Sequence, residues 1–111
     1  MGFFKIDTLK ERNLLPGVHV RFFHTDTMTV AHWIFEEGAK MPKHSHPHEQ
    51  VSHVIDGTFE LTIGDMSERM KLGSAASIEP NTPHFGKAIT KCYIIDVFHP
   101  VREDYKEPEE K

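Results

Sequence analysis

The chain has 111 residues, with 13 basic and 17 acidic side chains and a formal charge of −4. That length supports one domain whose core gains from closing a barrel or from pairing with a second subunit. No basic run provides the electrostatic footprint of a nucleic-acid binder, and no apolar window approaches the length of a membrane span.

The opening residues Met1-Gly2-Phe3-Phe4-Lys5-Ile6-Asp7 lack the long apolar stretch and small-residue cleavage site of a signal peptide. With a single cysteine, Cys92, there is no intramolecular disulfide, and a cytoplasmic location is the expectation. Thr8 to Leu15 reads as a turn or two of helix, ended by Pro16-Gly17. From there strand signals dominate. Val18 to His24 and Thr27 to Phe35 are rich in β-branched and aromatic residues, and Glu37-Gly38 turns the chain. Met41 to His46 is short and extended. Gln50 to Ile55 and Thr58 to Ile63 flank Asp56-Gly57, which reads as a type I′ hairpin. Met66 to Leu72 follows as a strand, and Ser77-Ile78 leads into the Pro-rich stretch Glu79 to Pro83. Tyr93 to Phe98 is a buried-strand pattern interrupted by one acid, and Glu107 to Lys111 reads as a charged, frayed tail. Many short strands separated by Gly and Pro turns predict an all-β sandwich or barrel in one domain. Its core spans about residues 17–100, between an N-terminal arm (1–16) and a C-terminal tail (101–111).

Nine histidines are scattered through the chain, and three of them fall in His44-Ser45-His46-Pro47-His48-Glu49-Gln50. Alternate side chains of an extended strand share a face, so His44, His46 and Gln50 converge on one point. Imidazole is the commonest metal ligand, and this segment reads first as a metal site. His48 shares the parity and rivals Gln50, although Pro47 bends the chain before it; Glu49 has the wrong parity. His19, His24, His32, His53 and His99 read as polar strand or rim residues, His99 being the one nearest the apparent site. Cys92 reads as a small core or surface residue.

The spacing around the segment is G-x5-H-x-H-x3-Q-x6-G from Gly38 to Gly57, and Gly73 is followed by Glu79-Pro80-Asn81 and then His84. This resembles both signature motifs of the cupin superfamily, small antiparallel jelly-roll β-barrels. The second motif departs from the pattern: Glu79 stands where a proline is usual, Asn81 where a glycine is usual, and Gln50 replaces the usual glutamate of the first. Carried over by position, the resemblance implies metal ligands His44, His46, Gln50 and His84 and one divalent transition metal ion. Ni, Zn, Fe, Mn and Cu all accept such a set. With Gln50 in place of a carboxylate the site carries one negative charge fewer, which favours an anionic substrate.

A narrower resemblance lies in Asp96-Val97-Phe98-His99-Pro100-Val101-Arg102-Glu103-Asp104-Tyr105. It is similar to the D-V-F-x-P-x-R-E-D-F ending of the pectin-degradation protein KdgF family. That resemblance implies ketonisation of 4,5-unsaturated monouronates released from pectin or alginate, with Asp96, Phe98 and Arg102 beside the metal. The residue chemistry agrees. Asp96 interrupts an apolar strand, where an ionised carboxylate is costly unless paired or functional. Phe98 shares its face, and Arg102 could fork onto a substrate carboxylate. A structural Asp96–Arg102 ion pair and a purely core Phe98 are the alternatives. A cupin dioxygenase and a non-catalytic sugar- or metal-binding barrel remain open as functions. The expected partners are a small sugar-acid substrate and a second copy of the chain, with no nucleic acid and no membrane. The apolar Phe3, Phe4 and Ile6 suggest an N-terminal segment that pairs with the partner's sheet.

Overall fold

A computed structural model describes residues 2–107 as ten strands in two antiparallel sheets, with 3-10 turns at Ile6–Thr8 and Glu103–Tyr105. The strands are β1 (Glu11–Leu15), β2 (Val18–His24), β3 (Thr29–Phe35), β4 (Lys40–His44) and β5 (Glu49–Asp56), followed by β6 (Phe59–Ile63), β7 (Met66–Met70), β8 (Ala75–Ile78), β9 (His84–Ala88) and β10 (Cys92–His99). The larger sheet runs β1-β2-β3-β10-β5-β8 and the smaller β4-β9-β6-β7. This is the expected all-β jelly-roll arrangement.

Period-two patterning sets which face is inside. In β3, Thr29, Ala31, Trp33 and Phe35 are buried while Val30, His32 and Ile34 are half-buried on the other face. In β10, Cys92, Ile94, Asp96 and Phe98 point inward by the same alternation. The sheets meet through aromatic contacts such as Phe35 against Phe59, with ring centroids 5.0 Å apart at 60°.

Three local expectations change. The segment read as helical holds the 3-10 turn and then β1, which pairs antiparallel with β2. Asn13 donates from Nδ2 to the carbonyls of Leu15 and Val18 at 2.9 Å, closing a bulged hairpin around Pro16-Gly17. Strand pairing there outweighs the weak helical preference of Leu14 and Leu15. Asp56-Gly57 does not close a hairpin, because β5 pairs with β10 and β8 while β6 pairs with β7 and β9. The turn instead carries the chain from one sheet to the other. His84 to Ala88, for which the sequence predicts no strand, is β9, the strand between β4 and β6. Of the tail expected to fray, Glu107 lies 3.3 Å from Lys10 Nζ and 3.5 Å from Arg12 Nε, and 108–111 lie outside the described residues. Among the described residues no helix is long and apolar enough to cross a membrane.

Candidate metal centre

His44, His46 and His84 come together with one ring nitrogen of each within 4.8 Å of the others, and His44 and His84 line the cavity between the sheets. His44 ends β4 and faces His84 at the start of β9 in register, their ring centroids 4.2 Å apart. His46 lies beyond β4, where the chain crosses toward the larger sheet. The three rings therefore converge from two strands and a connection, not along one extended strand.

Each ring is oriented by a backbone carbonyl. His44 Nδ1 lies 2.8 Å from Pro42 O, His46 Nδ1 3.0 Å from His48 O, and His84 Nδ1 2.9 Å from Thr82 O. A carbonyl only accepts, so each Nδ1 carries the proton and each Nε2 presents a lone pair. This is the usual way in which ligating imidazoles are held. His84 Nε2 is buried without a hydrogen-bond partner.

Gln50 completes the arrangement from β5. Its Nε2 donates to Ser52 Oγ at 3.0 Å and to Asp96 Oδ2 at 3.1 Å. Both partners take the amide's protons, so Oε1 is the atom turned toward His46 Nε2, 3.0 Å away. With His46 protonated at Nδ1, two lone pairs then face each other across that gap. A cation satisfies such a pair, and two ligands each about 2.1 Å from an ion at a right angle stand about 3.0 Å apart. The donor set and its spacing therefore fit a divalent transition ion.

The electrostatics follow from burial. Burial pushes His46 down to about 4, helped by the Arg102 charge and by His84, against the hydrogen bonds to Gln50 and His48. Burial also lowers His84, with smaller contributions from His44 and Arg102 against the bond to Thr82. The neutral, metal-binding form is favoured in both. Asp96 is 7 % exposed, and burial raises its carboxyl to about 6. Ser52, Trp33, Gln50 and the Arg102 charge act in the opposite direction. Asp96 Oδ1 has no partner of ordinary hydrogen-bond geometry, nor has the nearby Trp33 Nε1.

The alternative, a structural Asp96–Arg102 ion pair, does not form among the described residues. Arg102 instead directs its fork at Asp104, with Nε 3.0 Å from Oδ1 and Nη2 2.8 Å from Oδ2. Its guanidinium lies over Tyr105 at 4.0 Å and over Phe98 at 4.8 Å, and Nη1 is buried with no partner. The Arg102 hydrogen bonds lower Asp104. Phe98 is 2 % exposed and meets the His46 ring edge-on, with centroids 5.6 Å apart. His48 stands outside the three-histidine cluster, near Arg102 and Asp104, and its pKa is lowered chiefly by burial. His99 is exposed, and Glu49 is exposed beside it in register. Cys92 is buried, its thiol donating to the carbonyls of Thr58 and Thr90 at 3.1 Å, and burial raises its pKa.

The cavity has an empty volume of about 530 Å³, including its mouth. Its polar groups, His44, His84, Gln50, Ser52 and Asp96, gather at the histidine end, and Trp33, Phe35, Phe59, Leu61 and Ile94 form apolar walls. Sequence reasoning passed over Ser52, Asp104 and Tyr105. Ser52 has the parity of Gln50 and pairs with Asp96 in register, so strand period alone pointed to it. Asp104 and Tyr105 lie inside the C-terminal string, where Asp96, Phe98 and Arg102 received roles and these two did not.

Comparison with known proteins agrees with this geometry. A solved structure of KdgF from Halomonas sp. superimposes with a TM-score of 0.90 at 27 % identity, covering 96 % of this chain and 99 % of that one. An RmlC-like cupin from Shewanella frigidimarina gives a TM-score of 0.90 at 23 % identity, covering 96 % of each chain, which speaks to the fold alone. The H2HPP isomerase of Bacillus subtilis is 34 % identical over 80 residues, 71 % of this chain but only 34 % of that protein's length. Residues 31–98, which hold all four candidate donors, match the cupin domain model, and the chain belongs to the cupin family.

Proposed function

We propose that this cupin is a metal-dependent isomerase that converts 4,5-unsaturated monouronates, the products of pectin or alginate cleavage, into linear keto forms. One observation carries the reading: Asp96, a buried carboxyl raised to about 6, is tied through Gln50 to the three-histidine cluster. A group poised near neutrality inside a water-poor cavity suits a proton shuttle. The likeness to KdgF over nearly the whole chain and the isomerase among the relatives support it.

A divalent ion held by His44, His46, His84 and Gln50 Oε1 supplies Lewis-acid polarisation of substrate oxygens. The chain's own residues do the rest. Asp96 takes the proton of the hemiacetal hydroxyl as the C1–O5 bond breaks, leaving an aldehyde at C1 and an enolate at C5. The enolate collapses to a ketone and Asp96 returns the proton to C4. No atom is lost and no electron is transferred to an oxidant. Arg102 Nη1, the guanidinium nitrogen free of Asp104, holds the C6 carboxylate, and Phe98 packs against the sugar face. The apolar walls exclude water from the enolate.

The test follows the near-UV absorbance of the conjugated alkene in unsaturated galacturonate with metal-loaded protein. Decay at least a hundredfold faster than the spontaneous reaction is expected. Decay at the spontaneous rate refutes the reading, and oxygen uptake by the Fe(II)-loaded chain points to a dioxygenase instead.

A further inference from the structure

We propose that Arg12, on the edge strand β1, is a positioning residue for Arg102 and so sets how firmly the cavity holds a substrate carboxylate. The inference rests on the reading of Arg102 as the carboxylate-binding group, and not on the reaction that follows binding.

Arg102 is carried by a weak piece of backbone. It leads into the three-residue turn Glu103–Tyr105, which has no side-chain cap. That turn is closed by Tyr105 N donating to Arg102 O at 3.0 Å and Lys106 N donating to Glu103 O at 3.2 Å. A 3-10 turn this short holds little by itself. Its near end is fixed to β3, where Arg102 N donates to Thr29 Oγ1 at 2.8 Å and both residues are buried. Its far end is held by Arg12. The register that pairs Arg12 with the buried Val20 puts its side chain on the inner side of the sheet, where Tyr105 lies. Arg12 Nη1 donates to Tyr105 O at 2.6 Å, and Nε stands 3.5 Å from Glu107 Oε1.

The rings transmit the hold. The Arg12 guanidinium lies over Phe22 at 5.3 Å, and Phe22 stacks on Tyr105 with centroids 4.5 Å apart at 22°. Tyr105 in turn carries the Arg102 guanidinium, which reaches Phe98 on its other side. Two cations thus bracket a stacked pair of rings, each over a ring face that attracts it. Asp104 fixes the fork of Arg102, and Tyr105 supplies the nearer of the two faces that fix its plane. Letting the far end of the turn go withdraws that face. An ammonium at position 12 lacks the planar fork that meets a carbonyl and lies on a ring at once.

The test uses the metal-loaded full chain and two probes without the 4,5 double bond, galacturonate and its neutral methyl ester. By calorimetry, Arg12→Met should raise the galacturonate dissociation constant about tenfold and leave that of the ester unchanged. Amide hydrogen exchange at Tyr105 and Lys106 should quicken about tenfold in the same variant. Arg12→Lys should recover part of each loss. In an Arg102→Met background, Arg12→Met should have no further effect on galacturonate. Equal weakening of acid and ester, or a loss that persists without Arg102, overturns the positioning role. Unchanged exchange overturns the hold on the turn. A wild type that binds the acid no tighter than the ester overturns the inference together with the role of Arg102. Tight galacturonate binding, weakened by Arg12→Met, in a chain that does not isomerise the unsaturated uronate supports the inference and refutes the proposed reaction.

Discussion

Asp96 is a carboxylate in a place that disfavours its charge, and the consequence is a pH dependence of definite sign. Its folded-state value of about 6 lies above the ordinary 3.8. The folded chain therefore keeps a proton across pH 4 to 6 that the unfolded chain has lost. The stability this contributes is present at low pH and disappears as pH rises through about 6. His46 runs the other way, because its folded value of about 4 lies below 6.5. Its contribution is present above 6.5 and disappears as pH falls toward 4. In the metal-stripped protein the two slopes oppose each other between pH 4 and 6. Asp96→Asn removes one of them, so the variant's stability should climb more steeply over that window, by up to about 1.4 kcal/mol per pH unit. Urea denaturation at pH 4, 5 and 6 measures the difference, and an unchanged slope removes the Asp96 proton from that range. The same variant should lose isomerase activity by about a hundredfold or more while keeping its metal content. Asp104 acts at one remove, by fixing Arg102 between Phe98 and Tyr105. Asp104→Ala frees the guanidinium fork without touching the histidines. KM should rise about tenfold, equivalent to about 1.4 kcal/mol, with kcat changed less. Asp104→Asn, which keeps one acceptor, should fall between them.

At the scale of elements, Gly57 shows how a turn can be recognised and still misplaced. Its φ of +85° is the conformation expected of a Gly after Asp56. A Cβ there would lie 2.1 Å from Lys91 O and 2.9 Å from Thr90 Oγ1. The turn passes tightly under the start of β10, a long-range constraint that no dipeptide signal contains. Gly64, with φ +60°, has nothing within 4 Å of its Cβ position. Gly64→Ala should cost about 1 to 2 kcal/mol for conformation alone, and Gly57→Ala distinctly more, since backbone must move. Thermal denaturation of the pair separates the two terms, and equal losses would mean that the close approach adds nothing. The same distinction explains what was legible in the sequence. β3 and β10 were plain because their buried positions repeat every second residue. β1 was obscured because Asn13 and Leu15 make their bulged hairpin with β2 through backbone and amide groups that leave no periodic trace. β9 was missed because its buried positions are His84, Gly86 and Ala88, which give no run of large apolar residues at every second place, although His84 at its head was found from spacing. The histidines were legible as a set. That Gln50 joins them from the other sheet, and that Asp104 and not Asp96 holds Arg102, are facts of tertiary contact.

For the molecule as a whole, the donor set ties the two sheets together. His44 and His84 belong to adjacent strands of the smaller sheet, and Gln50 to β5 of the larger one, between β10 and the edge strand β8. His46 sits on the connection between them. An ion held by all four binds only the chain in which both sheets are docked, so its affinity adds directly to global stability. At a hundredfold excess over its dissociation constant the gain is about 2.7 kcal/mol. For a domain of this size that raises Tm by about 10 °C. Chelator-treated protein titrated with Ni, Zn, Fe, Mn or Cu in a thermal melt should show a shift of this order. His84→Ala should abolish it, because one of three imidazoles on a rigid strand is lost. Gln50→Ala should shorten it, because the smaller sheet and the connection still supply three donors while the link into β5 is gone. The absence of a shift with every one of these ions refutes the metal centre. An equal shift in wild type and Gln50→Ala would mean that the larger sheet takes no part in holding the ion.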